Sequence, residues 1–206
     1  MKKTKSLIKI VEQQKLCITE NPYGIERSWP KSYIKNFYDN FCQRLYEYEK
    51  SPSILEIDQS NSFNIKLWEL FFDSPNIDNF SFEKLMDNVQ KNPIKYDLII
   101  INCKNTKINR KTLNEIINLL KSEGTIVLEN IGRQTTKLVK IFYFFFKKYN
   151  LQIKDYRFRR FILNNCLLII RKDETKFFQK INNLFFLILF ILVEIFLSFY
   201  ISLIKK

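Results

Sequence analysis

The sequence predicts an α/β protein with a doubly wound, mostly parallel sheet, followed by an apolar C-terminal helix. Apolar strands alternate with amphipathic helices through the middle of the chain, and two successive strands close the series. Residues 96–101, YDLIII, form a continuous apolar run that is typical of a parallel strand covered on both faces. Residues 184–204 form a second apolar run, which is long enough for a membrane helix.

In the first half of the chain, apolar residues at steps of three and four predict a helix over residues 32–50. Its expected inward side chains are Ile34, Phe37, Phe41, Leu45 and Tyr48. Pro52 then precedes a predicted strand over residues 54–57. The next helix runs over residues 65–72, with Ile65, Trp68 and Phe72 expected to face inward.

In the second half, a helix is predicted over residues 82–90 and a strand over residues 96–101. A helix over residues 108–121 is expected to end at Gly124, because glycine readily takes the left-handed conformation that closes a helix. The strand 125–129 follows. A long helix is then expected over residues 135–149, and residues 151–158 and 165–171 are predicted to form an antiparallel pair.

The net charge is +13, from 34 lysine and arginine residues against 21 aspartate and glutamate residues. Such an excess suits nucleic acid, an anionic membrane or an acidic substrate. The lysines are spread along the chain rather than clustered, and asparagine, isoleucine and phenylalanine are abundant as well. This distribution is typical of biased residue usage, so we expect no nucleic-acid surface.

The cysteines at positions 17, 42, 103 and 166 lie far apart, and the chain contains no histidine. Zinc sites need closely spaced cysteine or histidine ligands, so no metal site is predicted. The thiols are expected to be reduced and mostly buried. The N-terminal sequence MKKTKSLIKIVEQQK lacks the apolar core of a secretory signal, so the bulk of the chain is expected in the cytoplasm.

The C-terminal run 184–204 reads LFFLILFILVEIFLSFYISLI. At about 1.5 Å per residue, a helix of this length spans roughly the 30 Å hydrocarbon core of a bilayer. Lysines bracket it on both sides, at positions 176, 180, 205 and 206. A helix buried in a soluble core would need apolar cover all round, which a domain of this size can hardly supply. We therefore predict a transmembrane anchor, with Glu194 protonated or facing a partner helix.

The segments ILEI, KLWELFF, YDLIII and LLKSEGTIVLEN, in this order and spacing, resemble the class I S-adenosylmethionine-dependent methyltransferases. The similarity covers roughly residues 30–172 and is strongest to the branch of sugar and macrolide O-methyltransferases. SYIKNFYDNF also looks like that branch's lead-in helix, with Tyr33 on its first tyrosine. The resemblance implies a Rossmann-like methyltransferase fold and S-adenosylmethionine as the possible cofactor.

The same resemblance assigns cofactor contacts to Glu56, Asp58, Ser60 and Asn102. Glu56 lies on the family's first strand, the next two residues follow that strand, and Asn102 follows the family's fourth strand. Glu56 matches the family's acidic residue on the first strand. The family's loop glycines are absent, however, and Asp58, Ser60 and Ser62 or Asn64 stand in their places. Glycines let the backbone approach the cofactor closely. A standard cofactor loop is therefore not expected.

Two further parts of the family's site are altered. Residues 75–95 have room for about one strand and one helix, where the family has a longer stretch whose acidic residue holds the ribose. Asp78 and Glu83 are the carboxylates nearest to that role. The family's acidic and histidine-bearing catalytic segment reads Asn102-Cys103-Lys104-Asn105 here, and Asn130 replaces an aspartate. No catalytic residue is assigned and no metal is expected, because asparagine is not a general base.

The predicted organisation is an N-terminal extension (1–30), a methyltransferase-like domain (31–172), a linker (173–183) and the transmembrane helix (184–204). Two functions remain open. One is a divergent, membrane-anchored enzyme that transfers a methyl group from S-adenosylmethionine to a saccharide or glycan. The alternative is a catalytically inactive scaffold, or partner of another protein, at the membrane.

Overall fold

The computed structural model describes residues 5–14, 33–57, 62–89, 94–103, 108–130, 149–155, 166–172 and the single positions 185, 188, 191 and 192. Within them, the first elements are α1 (Leu7–Gln13), α2 (Asp39–Tyr48), β1 (Ser53–Ile57), α3 (Ser62–Phe71), β2 (Asn76–Phe80) and α4 (Phe82–Val89). The remaining elements are β3 (Tyr96–Asn102), α5 (Arg110–Asn118), β4 (Leu120–Glu129), β5 (Asn150–Asp155) and β6 (Cys166–Arg171). A π-helical turn, Ile34–Tyr38, leads into α2.

The six strands form one sheet in the order β2-β1-β3-β4-β6-β5. β1 and β2 are parallel, whereas β4 and β5 both pair antiparallel with β6. The predicted α/β sheet is confirmed, including the adjacency of β1, β3 and β4 and the antiparallel closing pair. The space between α3 and β3 holds one strand and one helix, β2 and α4, as the length of that segment predicts.

The chain divides into two compact units, Met1–Leu98 and Ile99–Lys206. In the first unit, the π-helical turn and the residues at and just after the end of α3 contribute to an aromatic core in which Trp68, Tyr38, Phe71 and Phe72 are fully buried. The Trp68 ring packs edge-on to Tyr38, with ring centroids 6.1 Å apart, and lies 6.2 Å from Phe72. This packing supplies much of the apolar burial that stabilises the first unit.

The entry to α2 differs from the predicted helix in its inward face. Ile34, Phe37 and Phe41 are buried as expected, but Tyr48 is 83% exposed and the prediction for it was wrong. Leu45 is half-buried, and Cys42, which the predicted inward face does not include, is fully buried. Tyr48 is also the last residue of α2, since Glu49 is extended.

The N-terminal helix α1, which the sequence left unassigned, packs on α2 and α3. Leu7 and Val11 are buried, and the Leu7 amide donates to Asp39 Oδ1 at 2.7 Å. Lys5 Nζ donates to the Phe71 carbonyl at 2.9 Å and pairs with Asp73 at 2.8 Å. These contacts tie the N-terminal segment to the end of α3.

In the second unit, the helix predicted over residues 108–121 is shorter than expected. α5 begins after Asn109, whose side chain accepts from the Thr112 amide at 2.9 Å, and ends at Asn118. Gly124 is not a helix cap but lies inside β4, where its carbonyl accepts from the Lys172 amide at 3.2 Å. The Lys172 ammonium also donates to the Leu120 carbonyl at 3.1 Å. These distant contacts hold residues 120–124 extended despite their helical apolar spacing.

Several predicted segments lie outside the described residues. The helix expected over residues 135–149 does so except for its last residue, Tyr149. Of the predicted transmembrane helix, residues 184–204, only Phe185, Ile188, Ile191 and Leu192 are described, and all four are helical. Within the described part of the chain, no helix is long and apolar enough to cross a membrane.

Candidate functional site

Glu56, the first residue assigned to the cofactor, lies on β1 with no solvent exposure. Its Oε1 atom accepts a hydrogen bond from the Trp68 indole nitrogen on α3 at 2.8 Å. Burying a carboxyl group is costly unless it is hydrogen-bonded. The carboxylate therefore joins the strand to the helix that packs on it.

Asp58 and Ser60, the other two assigned residues of the first unit, lie outside the described residues. The resemblance left Asp78 and Glu83 as the carboxylates nearest to the position where the family holds the ribose, but neither of them ends β2. Asp78 lies at the centre of the strand and accepts from the Tyr96 hydroxyl at 2.8 Å. Burial, and secondarily this bond to Asp78, raises the pKa of Tyr96. Glu83 is exposed in the first turn of α4.

Asn102, the fourth assigned residue, ends β3 in the second unit. Its Oδ1 atom accepts from the Asn130 side-chain amide at 3.1 Å. Directly beside this bond, the Cys103 amide donates to the Glu129 carbonyl at 2.9 Å. The structure thus brings Asn102 together with Asn130, and the ends of β3 and β4 are joined by one side-chain bond and one backbone bond.

Asn130 adopts a positive φ of 57° immediately after β4. Only glycine takes this left-handed conformation without strain, and asparagine tolerates it better than most other residues. Non-glycine residues with positive φ are concentrated at ligand sites and switch regions. The turn at Asn130 is therefore the strongest backbone sign of a functional edge in the second unit.

Among the described residues at this edge, the two side chains that are brought together offer hydrogen bonds. Asn102 and Asn130 carry amides, which are not bases at neutral pH. Glu129 contributes a carboxylate, but its side chain is 1% exposed. Cys103 is also buried, and its Sγ lies 3.7 Å from the Ile101 carbonyl. Among the described residues, no group of carboxylates and cysteines could hold a metal ion.

Sequence reasoning missed two features of these strand ends. Trp68 was expected in the core, but its role as the hydrogen-bond donor to Glu56 has no local signal, because the two residues are twelve positions apart. The left-handed turn had one available signal. Asn130 follows an apolar strand, and asparagine is enriched at positive φ.

Comparison with known proteins gives matches in structure alone. No protein-family model and no curated sequence matches the chain. MycE, a methyltransferase of mycinamycin biosynthesis solved with Mg and S-adenosylhomocysteine (SAH), superposes with a TM-score of 0.50 at 14% identity. The match covers 84% of this chain and 51% of MycE, so the chain spans about half the length of that enzyme.

Two other similar structures are methyltransferases. One is the release-factor-specific protein-(glutamine-N5) methyltransferase from Alicyclobacillus acidocaldarius, at 8% identity, TM-score 0.44, with 65% of this chain and 90% of that chain covered. The other is a methyltransferase from Geobacter sulfurreducens, at 8% identity, TM-score 0.41, with 82% and 86% covered. The six-stranded mixed sheet and the likeness to MycE define a Rossmann-like methyltransferase fold.

Proposed function

We propose that this chain is a catalytically silent methyltransferase-fold protein that is held at a membrane by residues 184–204 and acts by binding a partner. One observation carries the proposal. Glu56, the acidic residue that the resemblance assigns to the cofactor, is fully buried and bonded to Trp68. A carboxylate in that position supports the fold of the first unit and is shielded from ligands in solvent.

The second unit supports the same proposal. Asn102 and Asn130 bond to each other at the edge where the resemblance places catalysis. The bond engages the Asn130 amide nitrogen as donor and the Asn102 amide oxygen as acceptor, and neither amide can remove a proton from an acceptor hydroxyl. The fold is retained while the groups needed for methyl transfer are replaced.

A second candidate is methyl transfer from S-adenosylmethionine to a saccharide or glycan. It is favoured by the likeness to MycE, which was solved with SAH. Asp58 and Ser60 follow β1 in the sequence and Asn102 ends β3, and open α/β sheets bind ligands at the carboxyl ends of such strands. In this case Glu56 would support the cofactor site indirectly, by holding α3 in position through Trp68.

Calorimetry of the full chain in detergent separates the two candidates. We expect no heat of binding with S-adenosylmethionine or SAH up to about 1 mM, and no thermal stabilisation. A ligand at a hundredfold its dissociation constant stabilises the native state by about 2.7 kcal/mol, so at about 1 mM ligand a dissociation constant of about 10 μM or below is visible as a shift in Tm. One-to-one binding that is lost in the Asn102→Ala variant would favour the enzyme and contradict our proposal.

Membrane attachment is supported by exposed apolar side chains in the tail. Phe185, Ile188 and Leu192 are 60%, 51% and 57% exposed, and their spacing places them on one face of a helix. We expect the full chain to resist carbonate extraction from membranes. An Ile188→Asp, Leu192→Asp double variant should be extracted, since an aspartate costs about 2.5 to 3.5 kcal/mol at a helix centre in the bilayer, close to Leu192, and Ile188→Asp adds a second charge to the same span.

The matched control for this membrane test is Tyr48→Asp, which also replaces an exposed apolar side chain but lies on α2. This control should remain in the membrane fraction. Equal extraction of the two variants, or full solubility of the unaltered chain without detergent, would rule out the anchor.

A further inference from the structure

The N-terminal helix α1 docks on a surface of the first unit. It packs against the π turn, α2 and α3, which all come later in the chain. Its two buried side chains, Leu7 and Val11, are four positions apart and so lie on one face of the helix. Apolar anchors on one face are the pattern by which helix-binding grooves recognise a partner helix.

The same surface contains a site for an ammonium group. Lys5 Nζ donates to the Phe71 carbonyl at 2.9 Å and to Asp73 Oδ1 at 2.8 Å. It also lies 4.8 Å from the centre of the Tyr46 ring. Phe71 is the last residue of α3, and the carbonyls at a helix C-terminus attract cations. A helix end, a carboxylate and an aromatic face thus converge on one cation.

A second polar contact fixes the direction of the docked helix. Leu7 is the first residue of α1, so its amide has no acceptor within the helix. Asp39, in the first turn of α2, supplies an acceptor at 2.7 Å. The ammonium site and Asp39 together select a helix with a lysine two positions before its first apolar anchor and a second anchor four positions after it.

The attachment of α1 is weak. The helix has seven residues, and isolated helices of that length are marginal in water. The Lys5–Asp73 ion pair joins side chains that are 37% and 46% exposed, and exposed ion pairs contribute little to stability. An element with so few buried apolar contacts opens at a lower free energy than a buried sheet does. Another helix can therefore replace α1 while the rest of the unit stays folded.

We infer that the surface under α1 is a docking groove for an amphipathic helix of a partner protein, and that α1 occupies this groove as an autoinhibitory segment. We call this surface the α1 groove, and its polar contacts come from Asp39, Tyr46, Phe71 and Asp73. The partner helix carries the pattern lysine-x-apolar-x-x-x-apolar and displaces α1 when it binds. A partner helix longer than α1 gains the helical stability that α1 lacks. The inference rests on the proposed function in that the protein acts by binding a partner.

The test uses the full chain in detergent and an acetylated, fluorescent peptide of residues 4–14, TKSLIKIVEQQ. In the peptide, glutamate replaces glutamine at position 13 and is joined by a lactam bridge to the lysine at position 9, because both positions are exposed in α1. The bridge preforms the helix and lowers the ordering cost of binding. We expect saturable binding. At saturation, the chain's own α1 amides should lose their hydrogen-exchange protection, because the peptide has taken the place of α1.

A Leu7→Asp, Val11→Asp chain releases its own α1 and should bind the peptide at least about tenfold more tightly than the unaltered chain. Its matched control, Lys9→Asp, Gln13→Asp, places two aspartates at the same spacing on exposed positions and should bind like the unaltered chain. Lys5→Met is a milder release that keeps both apolar anchors, and it should tighten peptide binding by up to about fivefold.

Two altered peptides test which helix the groove selects. A peptide with aspartate at positions 7 and 11 should not bind. A peptide with norleucine in place of the lysine at position 5 should bind about fivefold more weakly. This difference should shrink when Asp73→Asn is added to the released chain, because the ammonium then loses its carboxylate.

No binding to the unaltered and released chains at about 1 mM peptide would overturn the inference. Binding that leaves the protection of α1 unchanged would also overturn it, because the peptide would then occupy another surface. Two chains of charge +13 repel each other, so we expect the unaltered chain to sediment as a monomer. A dimer that exchanges α1 between copies would make a second copy the occupant and would contradict a separate partner.

A cofactor titration on the same sample keeps the two proposals apart. Binding of S-adenosylmethionine together with displacement of α1 by the peptide would contradict the silent function but leave the α1 groove intact. Failure of the peptide without cofactor binding would overturn only the α1 groove.

Discussion

Asn130 donates from its side-chain amide to Asn102 at 3.1 Å, and it does so from a left-handed backbone with a φ of 57°. The bond joins the ends of β4 and β3, and the neighbouring Cys103-to-Glu129 backbone bond reinforces it. The conformation and the bond are linked, because the turn brings the Asn130 amide to Asn102. Substitutions at Asn130 can separate the contribution of the hydrogen bond to stability from that of the backbone conformation.

We expect Asn130→Ala to lower the free energy of unfolding by about 2 to 3 kcal/mol, because it loses the hydrogen bond and the short polar side chain that lets asparagine tolerate a left-handed turn. Asn130→Gly should lose only about 1 kcal/mol, since glycine accepts the turn. Urea unfolding of the full chain in detergent measures both. Asn114→Ala, on the exposed face of α5, is the control and should change little. Equal losses for alanine and glycine would show that the turn is unstrained.

The Glu56–Trp68 bond is expected to stabilise the first unit, because it satisfies a buried acceptor and a buried indole donor. Trp68→Phe removes the donor and leaves a buried carboxylate, whereas Glu56→Gln keeps an acceptor for the indole nitrogen. A double-mutant cycle with Glu56→Leu and Trp68→Phe should give a coupling of about 1.5 to 3 kcal/mol. Glu56→Gln alone should lose less than Glu56→Leu. A coupling near zero would mean that the carboxylate does not depend on the indole, and the proposed structural role of Glu56 would then fail.

The strands of this fold could be predicted because each is marked by an apolar run within its own few residues. Residues 96–101 are apolar without interruption, and β3 is buried at nearly every position. The closing pair was predictable for the same reason, since β6 carries a run of leucine and isoleucine. A buried strand in such a sheet needs no information from the rest of the chain to be recognised.

The boundary between α5 and β4 could not be found in this way. Leu113, Ile116, Ile117 and Leu120 repeat at helical spacing, so the pattern continues past the residue where the helix ends. What ends it is Lys172, more than fifty residues later, whose backbone amide and ammonium hold the Gly124 and Leu120 carbonyls. A contact between residues so far apart in the sequence does not change the local spacing of apolar residues, so that spacing cannot predict it.

The sequence predicted which residues belong to the candidate site but not which residues they contact. Glu56 and Asn102 lie at or near strand ends, and their contact with a cofactor stays a prediction. The structure bonds them to Trp68 and Asn130. Both partners come from other elements of the fold. Chemistry inferred from one side chain at a time therefore missed that both residues are engaged in bonds that hold strands and helices together.

Cys42 is expected to resist thiol reagents in the folded protein. Burial, with a smaller contribution from the Asp39 carboxylate, raises the pKa of the Cys42 thiol well above its usual value, so the reactive thiolate is scarce. In a Cys17→Ser, Cys103→Ser, Cys166→Ser variant, labelling by an aromatic disulfide reagent at pH 8 should be at least about a hundredfold slower than in urea. The same variant with Cys42 also replaced gives the background rate. Labelling as fast as in urea would show that the α2 core opens freely.

The docking of the N-terminal segment should weaken in acid. The hydrogen bond from Lys5, and next the one from Tyr46, lowers the pKa of Asp73 below its usual value. Because the folded pKa is below the unfolded one, the stabilisation is present above about pH 4 and is lost as the pH falls through the folded pKa.

The comparison that tests this is the full chain against Asp73→Asn between about pH 2 and pH 6, followed by hydrogen exchange in α1. Above the unfolded pKa, the α1 amides of the unaltered chain should be better protected than those of the variant, and the difference should vanish at the acid end. Lys5→Met gives an independent check, because it removes the ammonium that lies 4.8 Å from the Tyr46 ring centroid while keeping an apolar stem. That variant should resemble Asp73→Asn above pH 4. If the protection of α1 did not depend on pH, the Lys5–Asp73 contact would not be what holds α1 in place. The burial of Leu7 and Val11 would then be its main attachment.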